Sequence, residues 1–67
     1  MGKNERALNR WEFEKQEDGT YRYRYDGIEI VWNDYYEIGV YTFEGELTYI
    51  PDFEHLDDLM SLTNPLY

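Results

Sequence analysis

Cysteine is absent from this 67-residue chain. That excludes a disulfide framework and any thiolate metal site, so apolar packing has to hold the fold. Histidine occurs once and proline twice, which leaves little material for an imidazole metal cluster or a proline-rich linker. No apolar run is long enough to span a bilayer, and the chain begins with the polar stretch Met-Gly-Lys-Asn-Glu. Neither a membrane span nor a signal peptide is expected, and cytoplasmic localisation is the expectation that follows. Internal repeats, low-complexity segments and an internal linker are absent too.

The most informative absence is that of positive charge. All six Lys and Arg residues lie at or before Arg24; after it come Asp26, Glu29, Asp34, Glu37, Glu44, Glu46, Asp52, Glu54, Asp57 and Asp58 with no cation among them. The net charge is −9, and the excess is carried by the later part of the chain. Such a field repels nucleic acid and anionic membranes and attracts basic protein surfaces.

Size limits what this chain does. A domain this small buries only ~60% of its unfolded surface and gains ~3–5 kcal/mol from its core. Aromatic residues make up 19% of the chain. They bury large areas per residue, and disordered acidic chains are poor in them, so a folded domain is expected.

Residues 1–10 contain one clear apolar residue, Leu8, and read as a tail or a short helix docked through Ala7 and Leu8. From Trp11 an alternating pattern begins, and residues 11–67 read as one domain. The Glu17-Asp18-Gly19 loop pairs Phe13 with Tyr23, Trp11 with Tyr25, Glu12 with Arg24 and Glu14 with Arg22. Asp26-Gly27 is a two-residue hairpin signal that pairs Tyr25 with Ile28, Tyr23 with Ile30, Tyr21 with Trp32 and Arg24 with Glu29. Both hairpins select the same apolar face. Reading Asn33-Asp34-Tyr35 as a three-residue loop pairs Trp32 with Tyr36, Ile30 with Ile38 and Ile28 with Val40. At Glu44-Gly45 the register stays open: a two-residue loop pairs Val40 with Tyr49, a three-residue loop Tyr41 with Tyr49. Gly39 reads as a bulge or a close backbone approach. Pro51 ends the strands, Asp52 is the N-cap of a helix to about Leu62, and Asn64-Pro65 stops it. Phe53, Leu56, Leu59 and Met60 share a stripe at helical spacing. The expected fold is α+β: a five-stranded antiparallel β-meander with one C-terminal helix packed on one face, covering Trp11, Phe13, Tyr23, Ile30 and Ile38.

Few residues suggest chemistry. His55 has Asp58 three residues on, but a metal site needs three or four convergent ligands and a base needs a nucleophile or activated water. Fifteen acids make close carboxylate pairs common by chance, and so short a chain has no room for a substrate cleft of ~300 Å³ or more. No Gly-rich phosphate loop occurs. An enzyme, a cofactor and a metal site are therefore not expected. The Tyr21-Arg22-Tyr23-Arg24-Tyr25 strand resembles a base-stacking platform, yet its tyrosines line the core face and its arginines face Glu14, Glu12 and Glu29, so direct nucleic-acid binding is not expected.

Partner binding is the reading that the charge favours. The residues assigned to it are Asp34, Glu37, Glu44, Glu46, Asp57 and Asp58 for charge and Tyr35, Tyr41 and Phe43 as aromatic anchors. Tyr41 and Phe43 are expected to leave the core face. Acids alone also serve to keep a Tyr-rich domain soluble, but an ordinary soluble surface mixes both signs. In composition the chain resembles small acidic proteins that imitate nucleic acid, many of them phage-encoded inhibitors of host defence or repair, such as anti-CRISPR-like proteins. That resemblance implies a basic nucleic-acid-binding partner: a nuclease, repair or defence complex. The alternative is an immunity- or antitoxin-type module that recognises one protein without mimicry. A monomer or weak dimer is expected, with Glu46–Ile50 or Trp11–Gln16 as the open edge.

Overall fold

Two acid–glycine pairs set the sheet. Asp26-Gly27 and Glu44-Gly45 both have positive φ at each position (50° and 80°, 52° and 84°), the type I′ geometry whose twist matches a two-residue hairpin. In the computed structural model, which describes residues 3–63, they join strands into a five-stranded antiparallel sheet. The order follows the sequence: β1 (Glu14–Lys15), β2 (Tyr21–Tyr25), β3 (Ile28–Asn33), β4 (Ile38–Phe43) and β5 (Glu46–Ile50). Helix α1 (Glu5–Arg10) precedes the sheet and α2 (Phe53–Thr63) follows it. The expected stop at Asn64-Pro65 lies outside the described residues.

The β2–β3 register is the expected one, Tyr21 with Trp32, Tyr23 with Ile30 and Arg24 with Glu29. Glu14 aligns with Arg22 and Lys15 with Tyr21, and Phe13 stacks on Tyr23 with ring centroids 5.1 Å apart. The first strand is shorter than its alternation suggests. Trp11 ends α1 instead of pairing with Tyr25: Phe13 N–H donates to the Leu8 carbonyl and Glu12 N–H to the Asn9 carbonyl, both at 3.0 Å. These are the reciprocal bonds of a Schellman cap, with Glu12 left-handed (φ 68°) where glycine is usual. Glu12 is thereby taken out of the strand, and Arg24 joins Arg22 on Glu29, at 3.3 and 3.6 Å.

The β3–β4 register departs from the sequence reading. The connection is the four-residue loop Asp34–Glu37, with Glu37 left-handed at φ 57°, so Trp32 faces Gly39, Ile30 faces Tyr41 and Ile28 faces Phe43. An odd shift exchanges the two faces of a strand. Tyr41 therefore packs against the core instead of leaving it, Phe43 shares that inner face opposite Ile28 although it stays 40% exposed at the strand end, and Ile38 and Val40 point to the other face. The pairing has a steric reason. Trp32 needs a neighbour without a side chain, and a Cβ on Gly39 would stand 2.8 Å from its ring and 2.7 Å from the Val31 carbonyl. At the next turn the two-residue alternative holds, and Val40 pairs with Tyr49.

The core lies between the sheet's inner face and the two helices. Leu8 of α1 and Leu56 and Met60 of α2 are fully buried together with Trp11, Ile30 and Trp32. Phe53 of α2 stacks on Trp11 at 5.7 Å and meets the Trp32 ring edge-on at 6.2 Å. The N-terminal segment is thus a docked helix, with Leu8 at 0% exposure. Helix α2 starts as the sequence suggests: the Asp52 carboxylate accepts the His55 N–H at 2.9 Å, the N-cap to N3 bond.

Candidate protein-binding surfaces

A meander alternates its connections between two ends of the sheet. The Asp26-Gly27 and Glu44-Gly45 turns share one end, while the Asp34–Glu37 loop and the start of α2 lie at the other. The residues assigned to partner binding are accordingly split between separate places.

At the loop end the acids are structural. Asp34 is only 4% exposed. Its carboxylate accepts the Trp32 indole N–H at 2.9 Å, the Asn4 backbone N–H at 3.0 Å and the Asn4 side-chain amide at 3.0 Å. Asp34 ties the entry of α1 to the strand that carries Trp32, and it is not an exposed partner charge. Glu37 accepts from the Asn4 amide at 3.2 Å and pairs with Lys3 at 3.2 Å, so it has the cationic neighbour that its place in the sequence conceals. Between them Tyr35 and Tyr36 stand at the tip, 83% and 72% exposed, in edge-to-face contact at 4.9 Å. Asn33 shapes this tip by accepting the N–H groups of both tyrosines at 3.0 Å.

At the turn end Asp26, Glu44 and Glu46 are exposed and form no ion pair among the described residues. Phe43 and Tyr25 stand there half-exposed, Phe43 against Gly27. On α2, Glu54 and Asp58 are exposed and Asp57 is half-buried; no basic residue occupies the helix's last turn. Tyr41 lies half-buried on the inner face, two residues from Phe43 on the same side of β4 and closer to the core. Phe43, Glu44 and Glu46 are therefore together, Asp57 and Asp58 share the helix, and Asp34, Tyr35 and Glu37 form a third place.

The β4–β5 side of the sheet's outer face carries an apolar patch that neither helix covers, which the sequence reading did not locate; the β1–β2 side of the same face carries Glu14, Arg22 and Arg24, with Glu29 of β3 between the two. Val31, Val40 and Tyr49 form one cross-strand row, with Ile38 and Leu47 beside it. Leu47 and Tyr49 are 72% and 76% exposed. Thr20, Val31, Asn33, Ile38, Gly39, Val40 and Tyr49 line a shallow concavity of about 210 Å³. The signal that locates this face in the sequence is the Trp32–Gly39 match, a large ring that needs a bare backbone opposite.

Several ionisations are displaced. Burial, then the bond to Glu5 (2.7 Å), pushes the Tyr21 hydroxyl up to about 12, and burial raises Tyr23. The His55 ring, 2.7 Å from the Asp52 carboxylate, is raised by it, and Asp52 is lowered in turn. Asp18 is lowered by the hydroxyl and N–H of Thr20. Among the described residues no His, Cys, Asp and Glu cluster could hold a metal ion, and no helix is long and apolar enough to cross a membrane. No family model, curated protein or solved structure matches this chain.

Proposed function

We propose that this domain is a non-enzymatic, protein-binding inhibitor of the viral anti-defence type, which occupies the nucleic-acid site of a basic, nucleic-acid-handling protein. The observation that carries the reading is the turn end of the sheet, where Asp26, Glu44 and Glu46 stand exposed, without ion pairs among the described residues, beside Phe43 and Tyr25. Glu54 and Asp58 on α2 are exposed acids in a separate place, Glu54 in the helix's first turn at the loop end of the sheet. Carboxylates on rigid turns and a capped helix present charge as phosphates do, and the half-exposed rings supply contact area once charge has steered the encounter. Asp34, Glu37 and Tyr41 have no direct part in it.

The test is a binding measurement against basic nucleases and defence complexes across a salt series. Affinity falls steeply as salt rises, and duplex DNA or guide RNA displaces the domain. Reversing charge with E44K/E46K slows association more than it speeds dissociation. A complex whose affinity ignores salt, or which nucleic acid leaves intact, refutes mimicry.

One observation favours the alternative, a module that recognises a protein without mimicry: the uncovered row Val31, Val40 and Tyr49. A partner docked there is released by Tyr49→Ser and is indifferent to E44K/E46K and to duplex competitor.

A further inference from the structure

The two edges of the sheet are built differently. Edge strand β1 is two residues long and carries Lys15, both devices that discourage pairing with another strand. Edge strand β5 is five residues, Glu-Leu-Thr-Tyr-Ile, with no lysine and with Pro51 only beyond its end. Its residues Glu46 through Tyr49 are exposed, so α2 leaves this stretch uncovered.

The hairpin register says which backbone groups face outward. Phe43 and Glu46 flank the two-residue turn and form a hydrogen-bonded pair, and such pairs alternate along an antiparallel ladder. Thr48 and Ile50 likewise bond to Tyr41 and Gly39 on β4. The N–H and C=O groups of Leu47 and Tyr49 therefore point to the open edge, and their side chains lie on the exposed outer face.

We infer that β5 pairs antiparallel with β5 of a second copy of this chain, about a two-fold axis at Thr48. In that register Leu47 of each copy exchanges hydrogen bonds with Tyr49 of the other, so every outward-facing donor and acceptor of these residues is used. Glu46 comes opposite Ile50, so no like charges are directly opposed. Other symmetric registers are poorer. Centring on Leu47 sets Tyr49 against Gly45, and centring on Tyr49 sets Leu47 against Pro51, which has no N–H to give. The pairing continues the outer apolar row from Val31 through Val40 and Tyr49 to Leu47 of the second copy. It leaves the loop tip with Tyr35 and Tyr36 free. Glu46 of one copy also approaches Asp52 of the other, so the association tightens as salt rises, opposite in sign to capture of a basic partner.

An edge-to-edge contact lies below the ~1,200 Å² of standard interfaces, so the dissociation constant is expected near ~100 µM. Sedimentation of the intact protein across a concentration series, at low and high salt, shows a monomer of 8.2 kDa passing to a dimer more readily at high salt. Leu47→Pro removes one outward N–H without touching the β4–β5 ladder and weakens the dimer about tenfold or more. Leu47→Lys, which leaves the backbone intact, does the same if proline disturbs the strand. In this cysteine-free chain Thr48→Cys cross-links copies on mild oxidation, because a non-hydrogen-bonded antiparallel pair places its Cα atoms about 4.5 Å apart, within disulfide range. Glu54→Cys on α2 is the control. Three results overturn the inference: a monomer at every concentration and salt, a dimer that both Leu47 variants leave unchanged, or cross-linking by Thr48→Cys no faster than by the control. Amides of Leu47 and Tyr49 that become protected only when a different protein is added assign the edge to that protein, and overturn it as well.

Discussion

The two ends of the sheet carry the same kind of residue in opposite roles. At the loop end, Asp34 is buried and saturated by Trp32 and Asn4, and Glu37 is neutralised by Lys3. At the turn end, Asp26, Glu44 and Glu46 stand in solvent and form no ion pair among the described residues. The loop-end carboxylates have partners because α1 brings Lys3 and Asn4 back across the sheet from a distant part of the chain. Among the described residues no such segment reaches the turn end. A chain whose lysines and arginines all lie at or before Arg24 is neutralised only where its N-terminal part reaches, and charge is left over wherever it does not.

The largest expected effect breaks the first half of that contrast. Asp34→Ala removes a buried acceptor and strands the Trp32 indole N–H and the Asn4 donors. It costs about 3 kcal/mol in urea unfolding, whereas Glu46→Gln at the other end changes stability by less than about 0.5 kcal/mol. Equal effects at the two sites would erase the distinction. Lys3→Ala tests the weaker member of the loop end: an exposed ion pair contributes at most about 1 kcal/mol.

A second substitution tests the face assignment on which the outer surface depends. Gly39→Ala puts a methyl 2.7 Å from the Val31 carbonyl and 2.8 Å from the Trp32 ring. Overpacking of this kind costs about 1–3 kcal/mol. Val40→Ala, one residue on and facing outward, costs less. The reverse order would mean that β4 presents its other side to the core.

Those residues also mark where the sequence was readable and where it was not. The first two hairpins and α2 follow from short-range chemistry. Gly19 at φ 92° and the Asp26-Gly27 turn leave one register that matches aromatic with apolar and Arg24 with Glu29, and Asp52 with the Phe53, Leu56 and Met60 stripe marks the helix. The β3–β4 loop carries no glycine, and its length depends on Asn33 holding two N–H groups and on Glu37 turning left-handed. Neither is visible as a turn dipeptide, so a three-residue loop looks equally good, and the odd slip moves Tyr41 inward and Ile38 and Val40 outward. The tie from Asp34 to Asn4 is harder still to read, because it spans thirty residues of chain and only tertiary structure reveals it. Of the exposed acids at the turn end, Glu44 and Glu46 were singled out in the sequence by the absence of nearby cations, whereas Asp26 was read only as a turn residue.

The turn end has a sharper test of its own. Glu44 occupies a left-handed position (φ 52°) that favours asparagine or aspartate. Glu44→Asn is expected to stabilise the hairpin by about 0.5 kcal/mol while removing one unpaired charge. A rise in melting temperature together with slower association to a basic partner separates the residue's structural strain from its electrostatic use. A fall in stability would mean that the glutamate side chain supports the turn in a way the contacts do not explain.

The smallest effect concerns the start of α2, where Asp52 and His55 share a 2.7 Å contact in solvent. The Asp52 carboxylate raises His55 above its ordinary value of 6.5, and the His55 ring and N–H lower Asp52 below 3.8. The two signs bracket a window. The folded state holds the His55 proton more tightly than the unfolded chain does, so that contribution is complete below pH 6.5 and lost as pH rises through the raised value. Asp52 is the converse: its contribution is present above pH 3.8 and lost as pH falls through the lowered value. Melting temperature should therefore include a small plateau between these limits that His55→Ala flattens on its alkaline side, while Asp52→Ala removes both flanks and the cap with them. Helix N-termini favour anions over cations, so a protonated imidazole at this position is tolerated only through its carboxylate. If His55→Ala leaves the slope between pH 6 and 8 unchanged, the ring contact adds nothing and Asp52 acts through the His55 N–H alone.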